Sequence, residues 1–236
     1  MEKEAQPLDD SVAIISDPHA NLHGLEICFK KIRSFGIEKI FCCGDLVGYG
    51  DQPNQVIEFF LSHGIQSISG NHDRFVCNRG RREQWNPYAL EKIDWTQSAL
   101  SDTSFEYLSS LPLNIVTGDF CLVHGAWSNP DKYLFEQNDF FEEMENLPAG
   151  LVFYGHTHIP CVFQFMLYED KMDYRHLTPN QLSDVYVKPE KNSPYTLISF
   201  VNPGTVGYPR GRIDQGSFIV WEVETGKISY HFFDLD

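Results

Sequence analysis

Acidic, amide and imidazole side chains recur in five short blocks, and each block directly follows an apolar run of the chain. The blocks are Asp17-Pro18-His19, Gly44-Asp45, Gly70-Asn71-His72-Asp73, His124-Gly125 and Gly155-His156-Thr157-His158. In an open α/β sheet, the loops that follow the strands gather at one edge, where ligands bind. We therefore expect two carboxylates, one amide and four imidazoles, besides His72, to lie in one space.

This set of donors indicates which metals it would bind. Carboxylates and imidazoles without thiolates suit divalent Mn, Fe, Zn or Ni. Seven ligands are too many for one ion, but they are enough for two ions that share a bridging carboxylate. Two ions about 3.5–4 Å apart can generate a hydroxide and hold both the attacking and the leaving oxygen of an in-line displacement. The pattern therefore predicts a dinuclear centre that hydrolyses phosphoesters.

Each block alone also has an ordinary structural interpretation. A single Asp-x-His at a strand end can be a capping carboxylate beside a surface histidine, and a motif is only a hypothesis without its structural context. The five blocks in order favour the metal site, because four of them contain a glycine that permits a close backbone approach. The remaining histidines lack this context, and we expect structural or solvated roles for His23, His63, His176 and His231.

The elements that must position the blocks alternate between strands and helices. Apolar runs predict strands at 12–16, 39–43 and 65–69, and helices that begin after Asn21 and at Pro53 separate them. Short connections between such elements are typical of a βαβ-built α/β sheet. Residues 86–110 are predicted to be helical, and mostly strands follow. These later strands are predicted at 114–116, 120–123, 151–154, 161–168, 196–200, 217–223 and 227–233, and the last two should pair as a hairpin.

The 236 residues are compatible with one domain that spans 1–236. We expect residues 1–10 to form a tail. The polar stretch 169–195 has no clear periodicity, and we interpret it as a long loop or an insertion.

Composition excludes several classes of protein. There are 33 acidic and 18 basic side chains, and the net charge of −15 repels phosphate backbones, which argues against nucleic-acid binding. The net charge does not exclude a small phosphorylated substrate if a bound metal receives its phosphate.

The six cysteines form no CxxC pair, which predicts buried free thiols in a reducing compartment. No apolar run reaches the ~18–20 residues of a membrane span, and the N-terminus lacks a signal-peptide pattern, so we expect a cytoplasmic protein. The sequence carries no indication of its oligomeric state.

The blocks and the segments around them resemble the calcineurin-like metallophosphoesterases, in particular their small bacterial and archaeal phosphodiesterase branch. The similar segments, which cover most of the chain except 169–195, are SDPHANLHGLE, GDLVGYGDQPNQVIE, GNHDR, VHGA, FYGHTHIP and VNPGTVGYPR. The resemblance implies a four-layer α/β/β/α sandwich of two mixed sheets flanked by helices. It also implies one metal held by Asp17, His19, Asp45 and His158, and a second held by the bridging Asp45 with Asn71, His124 and His156. His72 would be the general acid, and Asp45 and Asn71 would complete the catalytic residues.

The chain departs from one branch of this family. Its protein Ser/Thr phosphatases carry an Asp and an Arg three and four residues after the aspartate of the GD block, where this chain has Gly48 and Tyr49. That Asp would orient the catalytic histidine and raise its pKa, and that Arg would bind the phosphate. The departure makes phosphoproteins poor candidates for the substrate. Arg74 and Arg210 are candidates to replace the missing phosphate-binding arginine.

We therefore expect a dinuclear-metal-dependent phosphoesterase that hydrolyses small phosphate esters, phosphodiesters preferred, by attack of a metal-bound hydroxide with His72 as general acid. The alternatives are a non-catalytic metal-binding interaction module of the same fold, a protein phosphatase and a nuclease. The intact His72 with its full ligand set argues against the first alternative, and Gly48 with Tyr49 argues against the second. The net charge argues against the nuclease.

Overall fold

The computed structural model describes residues 11–78, 86–211 and 214–235; the expected tail at 1–10 lies outside them. The helices are α1 (Leu22–Ser34), α2 (Pro53–His63), α3 (Asn71–Val76), α4 (Pro87–Ala99), α5 (Asp102–Ser110) and α6 (Gln137–Glu143). The first six strands are β1 (Ser11–Ile15), β2 (Ile40–Cys42), β3 (Gln66–Ser67), β4 (Asn114–Val116), β5 (Cys121–Val123) and β6 (Leu151–Phe153). The last six are β7 (Cys161–Leu167), β8 (Met172–Leu177), β9 (Val185–Tyr186), β10 (Thr196–Asn202), β11 (Gly216–Glu222) and β12 (Lys227–Phe233). No helix within these described ranges is long and apolar enough to cross a membrane.

The described strands form two mixed sheets of six strands each. The first sheet has the order β3-β2-β1-β11-β12-β9, and its strands β1, β2 and β3 are parallel. The second sheet has the order β4-β5-β6-β10-β7-β8, and its strands β5, β6 and β10 are parallel. The predicted hairpin is present, since β11 and β12 pair antiparallel from Gly216↔Phe233 to Glu222↔Lys227. Each sheet thus has three parallel strands whose carboxyl ends share an edge.

Successive side chains of a strand point to opposite faces of its sheet, so each sheet can pack against the other sheet on one face and against helices on the other. In β1, Val12 and Ile14 face the second sheet, whereas Ala13 and Ile15 belong to the core beneath the helices that flank the first sheet. The core between the sheets contains Trp221 from β11, whose ring centroid lies 5.6 Å from that of Phe153. On the outer face of the second sheet, helix α6 contributes a fully buried Phe140. The predicted α/β/β/α sandwich is confirmed.

The helical stretch 86–110 is two helices rather than one. Leu100 is extended, with φ −65° and ψ 135°, and it ends α4. Ser101 then accepts a hydrogen bond from the Ser104 N–H at 3.2 Å and caps the start of α5. The stretch is helical as predicted, and it is divided because a serine with this capping geometry starts a new helix.

The segment 169–195 is not the featureless loop that its polarity suggested. It contains β8, which pairs antiparallel with β7, and β9, which pairs antiparallel with β12. The segment therefore supplies an edge strand to each sheet. The side chains of β8 are mostly exposed, so the strand lacks the apolar periodicity by which a buried strand is recognised.

Candidate metal centre

Loops at the carboxyl ends of parallel strands from both sheets converge on one site. The contributing residues are Asp17 and His19 after β1, Asp45 after β2, Asn71 after β3, His124 after β5, and His156 and His158 after β6. The two carboxylates and four imidazoles are buried, with no more than 4% of any of these residues exposed. The structure therefore brings all seven predicted ligands together.

Their donor atoms form two groups that share Asp45. The first group contains Asp17, His19, Asp45 and His158, the second contains Asp45, His124 and His156, and the donor atoms of each group lie within 4.8 Å of one another. In the first group, Nε2 of His19 is 3.0 Å from Nε2 of His158. In the second group, Nε2 of His124 is 3.1 Å from Nδ1 of His156 and 2.9 Å from Oδ1 of Asn71. Two clusters joined by one carboxylate have the arrangement expected for two neighbouring cations.

Hydrogen bonds on the far side of each imidazole determine which nitrogen faces the centre. Nδ1 of His19, His124 and His158 lies 3.0, 2.8 and 2.5 Å from the backbone oxygens of Val47, Cys43 and Tyr208. Nε2 of His156 lies 3.2 Å from the backbone oxygen of Asp131. Because a carbonyl only accepts, each of these nitrogens must carry the proton. In the neutral imidazole, the other nitrogen then presents its lone pair to the centre, as a metal ligand requires.

The donor set fits divalent ions. Oδ1 of Asp17 is fully buried and accepts no hydrogen bond from any described residue, whereas Oδ2 accepts from Ser16 Oγ at 2.5 Å and from the His156 N–H at 3.1 Å. A metal bonds to imidazole nitrogen at about 2.0–2.1 Å, so two ligands of one ion lie roughly 3 Å apart, as the nitrogens do here. Within each cluster, imidazole nitrogens lie close to one another. An ion bound between them would accept their lone pairs and remove the repulsion between them.

Backbone strain is concentrated at these ligands. Positive φ angles between 47° and 67° occur at Asp17, His19, Asp45, His156 and His158. Non-glycine residues in this region cost about 1–3 kcal/mol each, and the surrounding structure must hold them there. Hydrogen bonds between loops do so: the Asp17 N–H donates to the Gly44 oxygen at 3.1 Å, and the His19 N–H donates to the Asp45 oxygen at 3.0 Å. The fold thus holds the backbone of these residues in a strained conformation that places their side chains at the centre.

The ionisable groups perturb one another strongly. Burial opposes ionisation of Asp45, but the neighbouring His124 prevails and holds the pKa of this carboxyl well below its ordinary value. Burial also disfavours the protonated form of His124. The neighbouring Asp45 outweighs this effect and raises the pKa of His124 to about 9. For His156, burial and the nearby His124 lower the pKa to about 3. The site therefore keeps its carboxylate ionised, which is the state that binds cations.

His72 lies beside the two donor groups and belongs to neither. It is 3% exposed, its ring centroid is 4.7 Å from that of His19, and its backbone N–H donates to Oδ1 of Asp45 at 2.9 Å. Burial lowers the pKa of His72 to about 4, although the charge of Asp45 acts in the opposite direction. A titratable imidazole thus borders the centre without being one of its ligands.

The two positions that depart from the protein phosphatases have distinct structural roles. Gly48 has φ +133°, and a Cβ atom there would lie 2.3 Å from Nδ1 of His72. Tyr49 packs against two imidazoles, with its ring centroid 4.7 Å from that of His19 and 4.8 Å from that of His72. Its hydroxyl accepts a hydrogen bond from Nη2 of Arg210 at 3.3 Å. The chain therefore brings an arginine to the centre from a distant loop.

The two candidate arginines differ in their surroundings. Arg210 is half-buried, its Nη1 donates to the His156 oxygen at 3.4 Å, and its charge contributes to the lowered pKa of His72 after the larger effect of burial. Arg74 is 8% exposed, donates to the Ser69 oxygen at 2.7 Å and forms an ion pair with Asp131. These contacts hold the guanidinium of Arg74 against the protein. His23, His63, His176 and His231 are not part of either donor group.

Sequence reasoning missed three residues around the centre. The ring of Tyr133 stacks on His156 with centroids 3.6 Å apart. The amide of Asn202 donates to the Gly155 oxygen at 2.8 Å and to Thr157 Oγ1 at 3.0 Å, and it anchors the loop after β6. Asp73 accepts from the Gly70 and Val47 N–H groups at 2.9 and 3.2 Å. Asp73 and Asn202 stand in the GNHD and VNPG segments, so a signal existed for these two, but none marks Tyr133.

Comparisons with known proteins agree with this geometry. Residues 11–226 match the family described as the calcineurin-like phosphoesterase superfamily domain. An uncharacterised protein of Methanocaldococcus jannaschii is 32% identical over 227 residues, which cover 92% of this chain and 84% of that protein. The crystal structure of a metallophosphoesterase from Sphaerobacter thermophilus is similar, with a TM-score of 0.73, 29% identity, and coverage of 95% of this chain and 88% of the other. A hypothetical protein from Pyrococcus horikoshii has the same fold, with a TM-score of 0.72, 19% identity, and coverage of 96% and 88%.

Proposed function

The chain belongs to the calcineurin-like phosphoesterase superfamily, and from this premise we propose that it hydrolyses small phosphate esters, preferably phosphodiesters, with two divalent ions of the Mn, Fe, Zn or Ni type. The observation that carries the proposal is the pair of donor groups that share Asp45, with His72 beside them. Asp17, His19, Asp45 and His158 would hold one ion, and Asp45, Asn71, His124 and His156 would hold the other. When bound, the ions supply an activated water and positive charge that offsets the charge of the phosphate.

The protein's own groups would bind and protonate the substrate. His72 would donate a proton to the leaving oxygen, and a bound phosphate anion next to its ring favours the protonated imidazole. Arg210 would donate a hydrogen bond to a phosphate oxygen, because its guanidinium is held at the edge of the centre by Tyr49 and the His156 oxygen. Asn71 would orient the reacting group from the second donor cluster.

The charge around the centre supports a preference for diesters. A monoester dianion brings two negative charges to a chain of net charge −15, whereas a diester brings one. Arg210 would take the place of the arginine that phosphoprotein phosphatases carry at position 49. We therefore infer that phosphopeptides bind poorly.

The test is a comparison of bis(p-nitrophenyl) phosphate, p-nitrophenyl phosphate and a phosphopeptide in the presence of each metal. His72→Ala should retain its metals and lose ~10²–10⁴-fold in kcat on a substrate with a poor leaving group, and less on nitrophenyl esters. His63→Ala, which changes an exposed histidine at the end of α2, is the matched control. Phosphopeptide turnover above diester turnover would contradict the preference, and no turnover of any ester would identify a non-catalytic module.

Arg210→Ala provides a second test of the same proposal. Loss of a hydrogen bond from a charged group costs about 1.5–3 kcal/mol, which corresponds to a roughly ten- to 150-fold lower kcat/KM on the diester. Unchanged kinetics in this variant would leave phosphate binding to the metals alone.

A further inference from the structure

A cavity of about 410 Å³ opens beside the half of the centre that contains His19. Its wall includes His19, Tyr49, Asp51, Gln52, Lys92 and Tyr208. A volume of this order is enough for a small organic group, since ligand pockets generally measure about 300–1,000 Å³. The cavity shares Tyr49 with the catalytic centre, so a ligand can contact both.

Two tyrosines of the cavity wall, Tyr49 and Tyr208, stack on each other, and a third, Tyr88, lies beside them. The rings of Tyr49 and Tyr208 are nearly parallel, with centroids 4.3 Å apart and an interplanar angle of 18°. The ring of Tyr88 lies 6.2 Å from Tyr49 at an angle of 15° and is 53% exposed. Aligned rings with an exposed outer member provide a surface on which another planar group can stack.

The position of His72 determines which part of a substrate reaches the tyrosines. The ring centroids of His72 and Tyr49 are 4.8 Å apart. If His72 protonates the leaving oxygen, the bond to that oxygen breaks on the Tyr49 side of the centre. The group attached to the leaving oxygen would then extend past Tyr49 toward Tyr88, Tyr208 and the cavity.

The polar part of the wall indicates the chemistry of that group. Asp51 offers a carboxylate acceptor, Gln52 offers an amide donor and acceptor, and Lys92 offers an ammonium donor whose Nζ is 5.8 Å from the Tyr88 ring centroid. The side chain of Gln52 makes no capping hydrogen bond to α2. A hydrocarbon ring would leave these groups without partners, whereas a nucleobase and its sugar present edges and hydroxyls that match them. A leaving nucleoside also adds no negative charge to the acidic protein.

We propose that this cavity binds the leaving nucleoside of a dinucleoside monophosphate or a related nucleoside phosphodiester. The inference rests on the proposed phosphodiesterase function and assigns a substrate class to it. The reaction consumes one water: its oxygen bonds to phosphorus, the bond from phosphorus to the leaving oxygen breaks, and that oxygen gains a proton. The products are a nucleoside and a phosphomonoester.

The experiment compares a dinucleoside monophosphate with the analogue whose leaving sugar lacks its base. Both substrates release the same type of alkoxide, so the ratio of their kcat/KM values measures recognition of the base. We expect the wild type to prefer the base-bearing substrate by roughly five- to 150-fold, the effect of stacking one base on aromatic side chains. Tyr88→Ala and Lys92→Ala should each lower the ratio. Tyr174→Ala, which changes an exposed tyrosine on β8, should leave it unchanged.

Inhibition by a free nucleoside gives a second measurement. Adenosine should inhibit hydrolysis of bis(p-nitrophenyl) phosphate competitively, ribose should not, and Tyr88→Ala should raise the inhibition constant of adenosine. Equal kcat/KM values for the two diesters in the wild type would overturn the nucleoside site and leave the phosphodiesterase proposal intact. Absence of hydrolysis of these diesters and of bis(p-nitrophenyl) phosphate would overturn both proposals together.

Discussion

Replacing Gly48 by alanine tests whether the close approach of the backbone to the His72 imidazole matters for the proposed catalysis. A Cβ atom at this position would lie 2.3 Å from Nδ1 of His72, 3.0 Å from Cγ of the same ring and 3.1 Å from Nδ1 of His19. Favourable contacts between non-bonded heavy atoms are near 3.5–4.0 Å, so the His72 ring must retreat by more than about 1 Å. Gly48 also has φ +133°, which a side chain rarely tolerates.

Both consequences can be expressed as magnitudes. Backbone strain of this type costs about 1–3 kcal/mol, and a chain of this length loses about 2–4 °C of Tm per kcal/mol, so we expect a decrease of about 2–12 °C. A displacement of about 1 Å at a reacting group can cost ~10²-fold in rate. Gly48→Ala should therefore lower kcat on a small phosphodiester by about two orders of magnitude.

The assay measures kcat, Tm and bound metal in Gly48→Ala beside a matched control. Gly64→Ala changes a glycine that also has positive φ, +63°, but has nothing within 4 Å of the added Cβ atom. The control should lose stability and retain turnover. If Gly48→Ala has normal kcat, or loses activity only in proportion to lost metal, the proposed contact with His72 does not position the acid.

Three further predictions concern the metals and the buried arginine. Asp45→Asn should reduce metal binding at both sites because its carboxylate is shared, whereas the exposed Asp51→Asn should retain two ions per chain by elemental analysis. Adding Mn, Zn or Ni to chelated protein at about 1,000 times the dissociation constant of one site should stabilise it by about 4 kcal/mol, or about 8–16 °C in thermal unfolding, and an unchanged Tm with every metal would contradict a metal centre. Arg74→Ala should lower the free energy of unfolding by about 1–3 kcal/mol in a denaturant titration without raising KM for the diester, because its guanidinium pairs with Asp131; a large rise in KM would return Arg74 to the substrate site.

The ligands could be predicted from the sequence because each stands directly after an apolar run. Asp17 follows β1, Asp45 follows β2 and His124 follows β5, so recognising a strand also locates the residue at its carboxyl end. Parallel pairing then brings these ends to a common edge without knowledge of any side-chain contact. The sandwich itself followed from the alternation of strands and helices together with the resemblance of the blocks to the family.

Contacts between distant segments could not be predicted in this way. Nothing near Tyr133 in the sequence shows that its ring stacks on His156, because the contact joins the loop before α6 to the loop after β6. The ion pair between Arg74 and Asp131 joins residues 57 positions apart. Strand β8 escaped prediction for another reason: it is an exposed edge strand and lacks a buried apolar face.

The loop after β2 carries Gly48 and Tyr49 where the protein phosphatases have an Asp and an Arg. Arg210, from the loop after β10, brings a cation to the same place. With no side chain at position 48, the His72 ring occupies the space that an acidic residue would need, so burial rather than a carboxylate partner dominates its environment. With tyrosine at position 49, the cation comes from Arg210, 161 positions away, and the tyrosine hydroxyl holds it at 3.3 Å. The same tyrosine ring lies 4.8 Å from the ring of His72 and 6.2 Å from that of the exposed Tyr88. In our proposals, this residue therefore also contributes to the surface on which the leaving group stacks. We therefore expect this arrangement to favour singly charged esters with a planar leaving group.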